Sequence, residues 1–378
     1  MHILHISFHT SPFSNIGEND SGGLNIYIQE LARTISKTDK VTVVTGESDK
    51  SFMSNNINFI SYNLFNKTDS FKKKELSIKK FSKLLKDDSR LHDVDVIHAH
   101  YWLSGTVAKT INKEFGTPYI YTAHSYGSFL QNSDSRIRSE QEILTAAKFI
   151  TASSNFEKRT LIKKYHTPQS KIKIITPGVN NKIFKYKEIK NRKKYILSIG
   201  RIQEQKGQLK ILDFFKTLSI SVSDLELIFI GGPSGAKGKQ YLSLMKSKIN
   251  QLGIQKSVKF FGSLDQKKIA NLLNKSKLLI HSSEFETFGL VVIESNSMGV
   301  PVVSTNQGAV KELIENNVNG FVVKDFNDKN LYTFVSKTLN NATFFKKVSH
   351  GSIKSAKQFS WEKTSLELKK IYEETKLV

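Results

Sequence analysis

Tyr195-Ile-Leu-Ser-Ile-Gly-Arg-Ile-Gln-Glu-Gln-Lys-Gly207 decides the fold. A short run of β-branched and apolar residues breaks at one glycine into a polar, charged loop that a second glycine closes. This is the pattern of a buried strand entering a strand-to-helix turn. Downstream the same unit recurs with the apolar runs Leu225–Ile230, Val258–Phe261, Leu278–His281, Val300–Ser304 and Phe321–Val323. Upstream, Asn180–Lys194 is polar, basic and poor in large apolar residues, and reads as an interdomain linker. Before it the runs are Ile3–Phe8, Val41–Thr45, Ile57–Tyr62, Val94–His98, Tyr119–Thr122, Phe149–Ala152 and Ile172–Thr176, with helical patterns such as Leu24–Ser36 and Leu76–Leu85 between them.

Near-continuous apolar strands alternating with amphipathic segments predict an α/β chain with two doubly wound, Rossmann-like parallel sheets, with no sequence repeat between the halves. The expected domains are residues 1–180 and 181–360. Residues 361–378 carry Trp361, Leu368, Ile371 and Tyr372 at helical spacing and form a terminal amphipathic helix. The opening run lacks a basic leader and a cleavage site, so it reads as a first strand. No stretch has the roughly 18 apolar residues of a membrane span, and a cytoplasmic location is expected.

Ligands of open α/β sheets sit at the carboxyl ends of the strands, and the distinctive segments of this chain follow strands. In Glu286-Thr-Phe-Gly-Leu-Val-Val-Ile-Glu294, two carboxylates flank Phe288-Gly289. Gly289 permits a tight turn into a helix whose first N–H groups attract phosphate. The carboxylates repel phosphate and suit sugar hydroxyls; the competing reading is a solvated surface helix. In Gly200-Arg201…Lys206-Gly207, Arg201 and Lys206 can converge on one diphosphate and neutralise charge on a leaving group, or belong to an ordinary basic loop. Gly22 and Gly23 open a helix after the first strand, where they allow close approach of a phosphate or simply make a turn. His98-Ala-His100-Tyr101-Trp102 can form a sugar-stacking wall, or Trp102 and His98 can pack in the core. His124, in Thr122-Ala-His124-Ser125, can hydrogen-bond a sugar while neutral, or be structural. Arg136 at a helix start can bind an anion through its planar fork, or make a surface pair with Glu140 worth a few tenths of a kcal/mol.

Taken together these motifs resemble the retaining family 4 glycosyltransferases. The match is to their Glu-x7-Glu signature at Glu286 and Glu294, their Gly-Arg…Lys-Gly segment, and the stretches His9–Pro12, Gly22–Tyr27 and His98–Gly105. The nearest branch holds the inositol-phosphate N-acetylglucosaminyltransferases and the sucrose-phosphate synthases. The resemblance implies a GT-B type fold, with two facing Rossmann-like domains, a cleft between them, and a terminal helix crossing back to the first domain. It implies a donor site of Gly22, Gly23, Arg201, Lys206, Gly262, Glu286, Phe288, Gly289, Leu290 and Glu294. His124, Glu286, Arg201 and Lys206 would serve the chemistry. The acceptor set would be Asn25, Lys73 (with Lys74 as its alternative), Tyr101, Ser125 and Arg136.

The expected reaction moves a sugar from a nucleoside diphosphate sugar, UDP in the nearest branch, to a hydroxyl of a small phosphorylated polyol or sugar, with retention. No cofactor is expected, because the nucleotide sugar is a substrate. No metal is expected either, since no Asp-x-Asp pair stands among these motifs and two basic side chains can replace a cation. The chain has 378 residues, no cysteine and a formal charge of +23, which excludes disulfides and thiolate metal sites. The charge fits a proteome-wide bias toward Lys, Asn and Ile, an anionic substrate, or peripheral contact with the acidic inner face of a membrane, where a lipid-linked or polysaccharide acceptor would reside. Nucleic acid is not an expected partner, because the lysines are scattered and not interleaved with aromatics. From other classes, a sugar-nucleotide epimerase of similar architecture and a basic binding protein compete.

Overall fold

The computed structural model describes residues 1–14, 22–130, 133–189, 191–235 and 237–376. The chain forms two compact units; of the described residues, 1–14, 22–177 and 361–376 build the first, and 178–360 the second.

The first unit holds the strands β1 (His2–Ile6), β2 (Lys40–Glu47), β3 (Phe52–Ser54), β4 (Ile57–Phe65), β5 (Val96–His100), β6 (Tyr119–Thr122), β7 (Phe149–Ala152) and β8 (Ile172–Ile174). They lie in the order β3-β4-β2-β1-β5-β6-β7-β8, parallel except for β3 against β4. That hairpin turns on Asn55 and Asn56, both at positive φ, as a two-residue turn between twisted strands requires. The second unit holds β9 (Tyr195–Ile199), β10 (Glu226–Ile230), β11 (Val258–Phe260), β12 (Leu278–His281), β13 (Val302–Thr305) and β14 (Gly320–Val323), in the order β11-β10-β9-β12-β13-β14. Its central strands are buried on both faces. Ile196 and Ile280 enter one core, while their neighbours Leu197 and Leu279 enter the other, which explains the unbroken apolar runs.

Each sheet reverses its strand order once, between β1 and β5 and between β9 and β12. Loops leaving the two strands at such a point diverge and leave a crevice at the carboxyl edge.

Three expectations are corrected. Asn180–Lys194 is not a free linker: Phe184 is buried in the second unit, and the Arg192 guanidinium donates to the carbonyls of Leu273, Ser276 and Met298. The helical pattern Leu76–Leu85 is two helices, Phe71–Leu76 and Ile78–Asp87, parted at Ser77. The fifth strand runs on to His100, placing both histidines of its motif inside the sheet.

The terminal helix Trp361–Lys376 packs on the first unit through Trp361, Leu368 and Tyr372, all buried. Lys369 pairs with Asp39 at 2.9 Å and Lys376 with Asp95 at 2.8 Å. Burial of Asp39 disfavours its charge, but the N-terminal ammonium at 2.8 Å, Thr38 and Lys369 outweigh this and draw its pKa from 3.8 to about 2. A carboxylate depressed in the folded state adds stability above its unfolded pKa and loses it as pH falls through the folded one. Asp39→Asn should therefore cost about 2 kcal/mol at neutral pH. That gap should close between about pH 4 and 2 in urea titrations of the two proteins.

Candidate functional site

At the carboxyl edge of the second sheet, five loops meet after β9, β10, β11, β12 and β13. They are fastened by backbone: Gly200 N–H donates to Ile230 O, Gly231 N–H to Gly262 O, Ile202 N–H to Gly232 O, Glu284 N–H to Gln205 O and Ala309 N–H to Glu286 O. At two glycines of these loops a side chain would not fit. A Cβ on Gly231 would lie 2.1 Å from Gly200 O, and one on Gly207 2.3 Å from Ser282 O.

Lys206, from the loop after β9, donates to Glu286 Oε2 at 2.9 Å, and His281 Nε2 stands 3.5 Å from the same oxygen. These residues come from the two strands at the switch point. Burial opposes the charge on Glu286, but Lys206 and then His281 hold its carboxyl below the usual carboxylate range. Glu286 is thus an ionised acceptor for hydroxyl hydrogen bonds and cannot deliver a proton near neutral pH. His281 was not singled out in the sequence; its only signal is its place as the last residue of a strand.

Gly289, at φ 102°, caps the helix Leu290–Ser297, whose second turn carries the buried Glu294; Gln266 Nε2 donates to Glu294 at 3.3 Å. Leu290 is the first helical residue, half-buried on the core below. The Phe288 ring is buried and packs edge-on against Phe359. Among the described residues no carboxylate pairs with Arg201, which follows Gly200 on the same loop as Lys206. Gly262, at φ 65°, follows β11 and borders open space.

The first unit gathers a second group at its own switch point, after β1 and β5. Arg136 donates from Nε to Glu140 Oε1 at 2.7 Å, from Nη1 to the Tyr101 hydroxyl at 3.2 Å, and from Nη2 to Ser125 Oγ at 3.0 Å. Its guanidinium also lies 4.9 Å from the centre of the Tyr101 ring. Burial works against this cation, and Tyr101 and Glu140 more than restore it. Tyr101, Ser125 and Arg136 are therefore one cluster, and the His9 ring lies 4.4 Å from that of Tyr101.

Lys73 is not part of this cluster. It is exposed and pairs with Asp69 at 2.7 Å, whereas its neighbour Lys74 is fully buried and donates to His9 O at 3.1 Å. Asn25 is also fully buried. Its Oδ1 accepts from Gly22 N–H, and its Nδ2 donates to Thr10 Oγ1 and Ser11 O, so it fastens the loop after β1. Gly23 begins the helix Gly23–Ile35; the Asn25 and Ile26 N–H groups donate to Gly22 O, and the helix order gives the N–H groups before them no intrahelical acceptor. Ser21 of the same motif lies outside the described residues.

His124 sits at φ 58° after β6, its Nε2 3.1 Å from His100 Nδ1. The stacking wall expected of the fifth-strand motif is not formed by Trp102 or His98: Trp102 is core, and His98 is fully buried between the Tyr372 hydroxyl and Thr122 Oγ1. One Asp-x-Asp triplet exists outside the motifs, Asp93-Val-Asp95, just before β5 and so at the opposite edge of the sheet. Asp93 there accepts from Lys40 and contacts His2, and Asp95 accepts from His2 N–H and pairs with Lys376. Among the described residues, His5, His98 and His100 could hold a metal ion, with one ring nitrogen of each within 4.8 Å of the others.

Comparison with known proteins supplies the class. A model described as Glycosyltransferase Family 4 matches residues 21–182, and one described as Glycosyl transferases group 1 matches residues 179–359. The chain is a glycosyltransferase with the two parallel-sheet α/β domains of the GT-B fold. It belongs to glycosyltransferase family 4. It is 26% identical to the D-inositol 3-phosphate glycosyltransferase of Thermobispora bispora, over 98% of this chain and 94% of the relative. It is 25% identical to the protein of that name from Corynebacterium jeikeium, over 99% and 97%. Among solved structures, sucrose-phosphate synthase from Thermosynechococcus elongatus superposes with a TM-score of 0.89 at 21% identity, covering 99% of this chain and 98% of the other. Anabaena HepE in complex with UDP-glucose superposes with a TM-score of 0.79 at 18% identity, covering 99% and 100%. No described helix is long and apolar enough to cross a membrane.

Gly308, at φ 70°, holds the Glu286 loop; a Cβ there would come within 2.4 Å of Glu286 O. Gly308→Ala should displace Glu286 by a fraction of an ångström and lower turnover on the order of 100-fold. Its far-UV circular dichroism should match the parent, and a steady-state assay of sugar transfer reads the loss.

Proposed function

We propose that this glycosyltransferase transfers a sugar, with retention and without a metal ion, from a UDP-sugar to a hydroxyl of a small phosphorylated polyol or sugar. The observation that carries the acceptor class is the Tyr101–Ser125–Arg136 cluster. A half-buried, permanently cationic fork, held by Glu140, stands beside two hydroxyls, and the buried Lys74 ammonium donates to the carbonyl of the neighbouring His9. Such a set suits a phosphate dianion, whose oxygens replace the hydroxyls as acceptors of Arg136. The names of the relatives support this reading.

On the donor side, Arg201 and Lys206 take the diphosphate, helped by first-turn N–H groups at Gly289–Leu290. Glu286, kept ionised by Lys206, accepts from the sugar hydroxyls, and Glu294 from the ribose. Gly22 and Gly23 allow backbone approach to the donor, and Gly262 borders the base. His124 donates to the transferred sugar. The anomeric C–O bond to the departing phosphate breaks as the acceptor oxygen attacks from the same face. The acceptor proton passes to an oxygen of the leaving diphosphate, and Arg201 and Lys206 stabilise the charge that develops there. No enzymic base is required.

A lipid-linked or polysaccharide acceptor is the second reading. Leu76, 75% exposed, and Phe71, 40% exposed, project among Lys72, Lys73, Lys79 and Lys80 on the first unit, which suits an acidic membrane surface.

The test is a thermal-shift screen of nucleotide sugars, followed by nucleotide-release assays with acceptors differing only in a phosphate. Arg136→Ala should lower kcat/KM for the phosphorylated acceptor roughly 100-fold and leave the unphosphorylated one within about twofold. An equal loss on both refutes the phosphate site. Glu286→Ala should abolish turnover, and EDTA should leave it intact; activity lost to EDTA and restored by Mg²⁺ refutes the metal-free reading. Turnover only with acceptors presented on acidic vesicles would favour the second reading.

A further inference from the structure

Lys206 has two claims on it. The donor reading gives its ammonium to the diphosphate, yet in the ligand-free protein that ammonium donates to Glu286 Oε2 at 2.9 Å. A nucleoside diphosphate carries more negative charge than one carboxylate and draws a flexible lysine more strongly. Glu286 must then hold its place with its first partner gone, where burial opposes its charge.

The end of β12 supplies a second partner. His281, its last residue, is buried, and its Nε2 stands 3.5 Å from the same oxygen. That is the outer limit of a hydrogen bond, whereas the Lys206 contact is a full one. The ring is fixed from behind. Parallel pairing sets His281 against Ser304 of β13, and His281 Nδ1 lies 3.2 Å from the Ser304 hydroxyl. The next residue, Ser282, donates from its hydroxyl to Lys206 O at 2.7 Å, and its own carbonyl is closely approached by Gly207. The backbone of Lys206 is thus tied to the end of β12, and its side chain is the part left to swing.

Nε2 must carry a proton to face this oxygen. An ionised carboxylate only accepts, and a bare ring nitrogen would set one lone pair against another. Ser304 permits it, because its hydroxyl, which donates to Thr305 O at 3.1 Å, can instead give its proton to Nδ1, or accept one from it. Among the described residues both contacts of the Glu286 carboxylate fall on Oε2, which leaves Oε1 for a ligand.

We infer that His281 is a positioning residue for donor binding: when the diphosphate takes the Lys206 ammonium, His281 Nε2–H closes on Glu286 Oε2 and keeps Oε1 directed at the transferred sugar. The inference rests on the donor roles proposed for Glu286 and Lys206. It gives His281 no contact with the substrate. Its effect is felt on the sugar, because UDP alone ends at the diphosphate, short of the hydroxyls from which Glu286 accepts.

UDP is the probe of the exchange. Two-bond ¹H–¹⁵N correlation spectra of the ¹⁵N-histidine-labelled full chain, with His281 assigned from its Gln variant, should show a protonated Nε2. Saturating UDP should move that proton downfield, as a shortened hydrogen bond to a carboxylate does. In Glu286→Ala the same addition should leave it in place, and in Lys206→Met it should lie downfield without UDP. A bare Nε2, or a proton that UDP does not move in the parent, overturns the inference, and neither result depends on turnover. Calorimetric titration with UDP, UDP-glucose and UDP-N-acetylglucosamine reads the consequence. His281→Leu should weaken whichever UDP-sugar the parent binds better roughly tenfold, and UDP less than about threefold. Retained UDP binding also reports that the variant is folded. His281→Gln, whose amide N–H stands where Nε2–H does, should recover most of the loss. His281→Asn, which reaches only as far as Nδ1 and keeps the Ser304 contact, should not. In the Glu286→Ala background His281→Leu should add less than about twofold, since the group it positions is gone. Recovery by Asn instead of Gln, or an equal loss for UDP and UDP-sugar, marks a packing role and overturns the inference. If Glu286→Ala weakens the UDP-sugar and His281→Leu does not, the inference alone fails. If neither does, the donor role of Glu286 fails and takes the inference with it.

Discussion

Backbone touching backbone at the carboxyl edge of the second sheet is the constraint on which the donor half depends. Gly207, Gly231 and Gly308 let neighbouring loops pass at distances no side chain would permit. Those crossings, and the amide hydrogen bonds between them, bring Lys206 and Glu286 together from strands that part in opposite directions. The charge pair is a result of this contact more than a cause of it. Two flexible side chains could not hold a geometry that the loops did not already impose.

The two units answer the same physical problem in different ways. Each must present charge in a place largely removed from water, where an unpaired charge is costly. In the second unit Lys206, and then His281, keep the Glu286 carboxylate ionised against the cost of its burial. In the first, Arg136 is also paired, with Glu140, but spends its remaining donors on the neutral hydroxyls of Tyr101 and Ser125, which an anionic ligand can replace. The histidines below it add no charge, because burial keeps them neutral.

The α/β architecture was legible because it depends on local periodicity, and strands buried on both faces write that plainly. The cation–carboxylate motif of the second sheet was legible because loops after strands have a known destination. What escaped depended on distant partners. For His98 the sequence leaves a sugar-facing wall and core packing both open; nothing near it announces that Tyr372, 274 positions away, caps it inside the sheet. Lys73 and Lys74 are identical in type, and one step along a short helix turns a side chain by about 100°; only the position of His9 decides which lysine is buried. Arg192 sits in a stretch whose composition is that of a linker, and its three carbonyl partners come from segments 81 or more residues downstream.

The terminal helix has a consequence for how the chain is made. Trp361, Leu368 and Tyr372 complete a unit whose other described residues end at position 177. A ribosome must read through the entire second unit before that helix exists, which at ordinary rates of synthesis is a delay of roughly 10 to 40 s. For that interval the nascent first unit shows an uncovered apolar strip, with His98 lacking its tyrosine. The unit that starts first is finished last, and the strip is where a chaperone, or a misfolded neighbour, would find its grip.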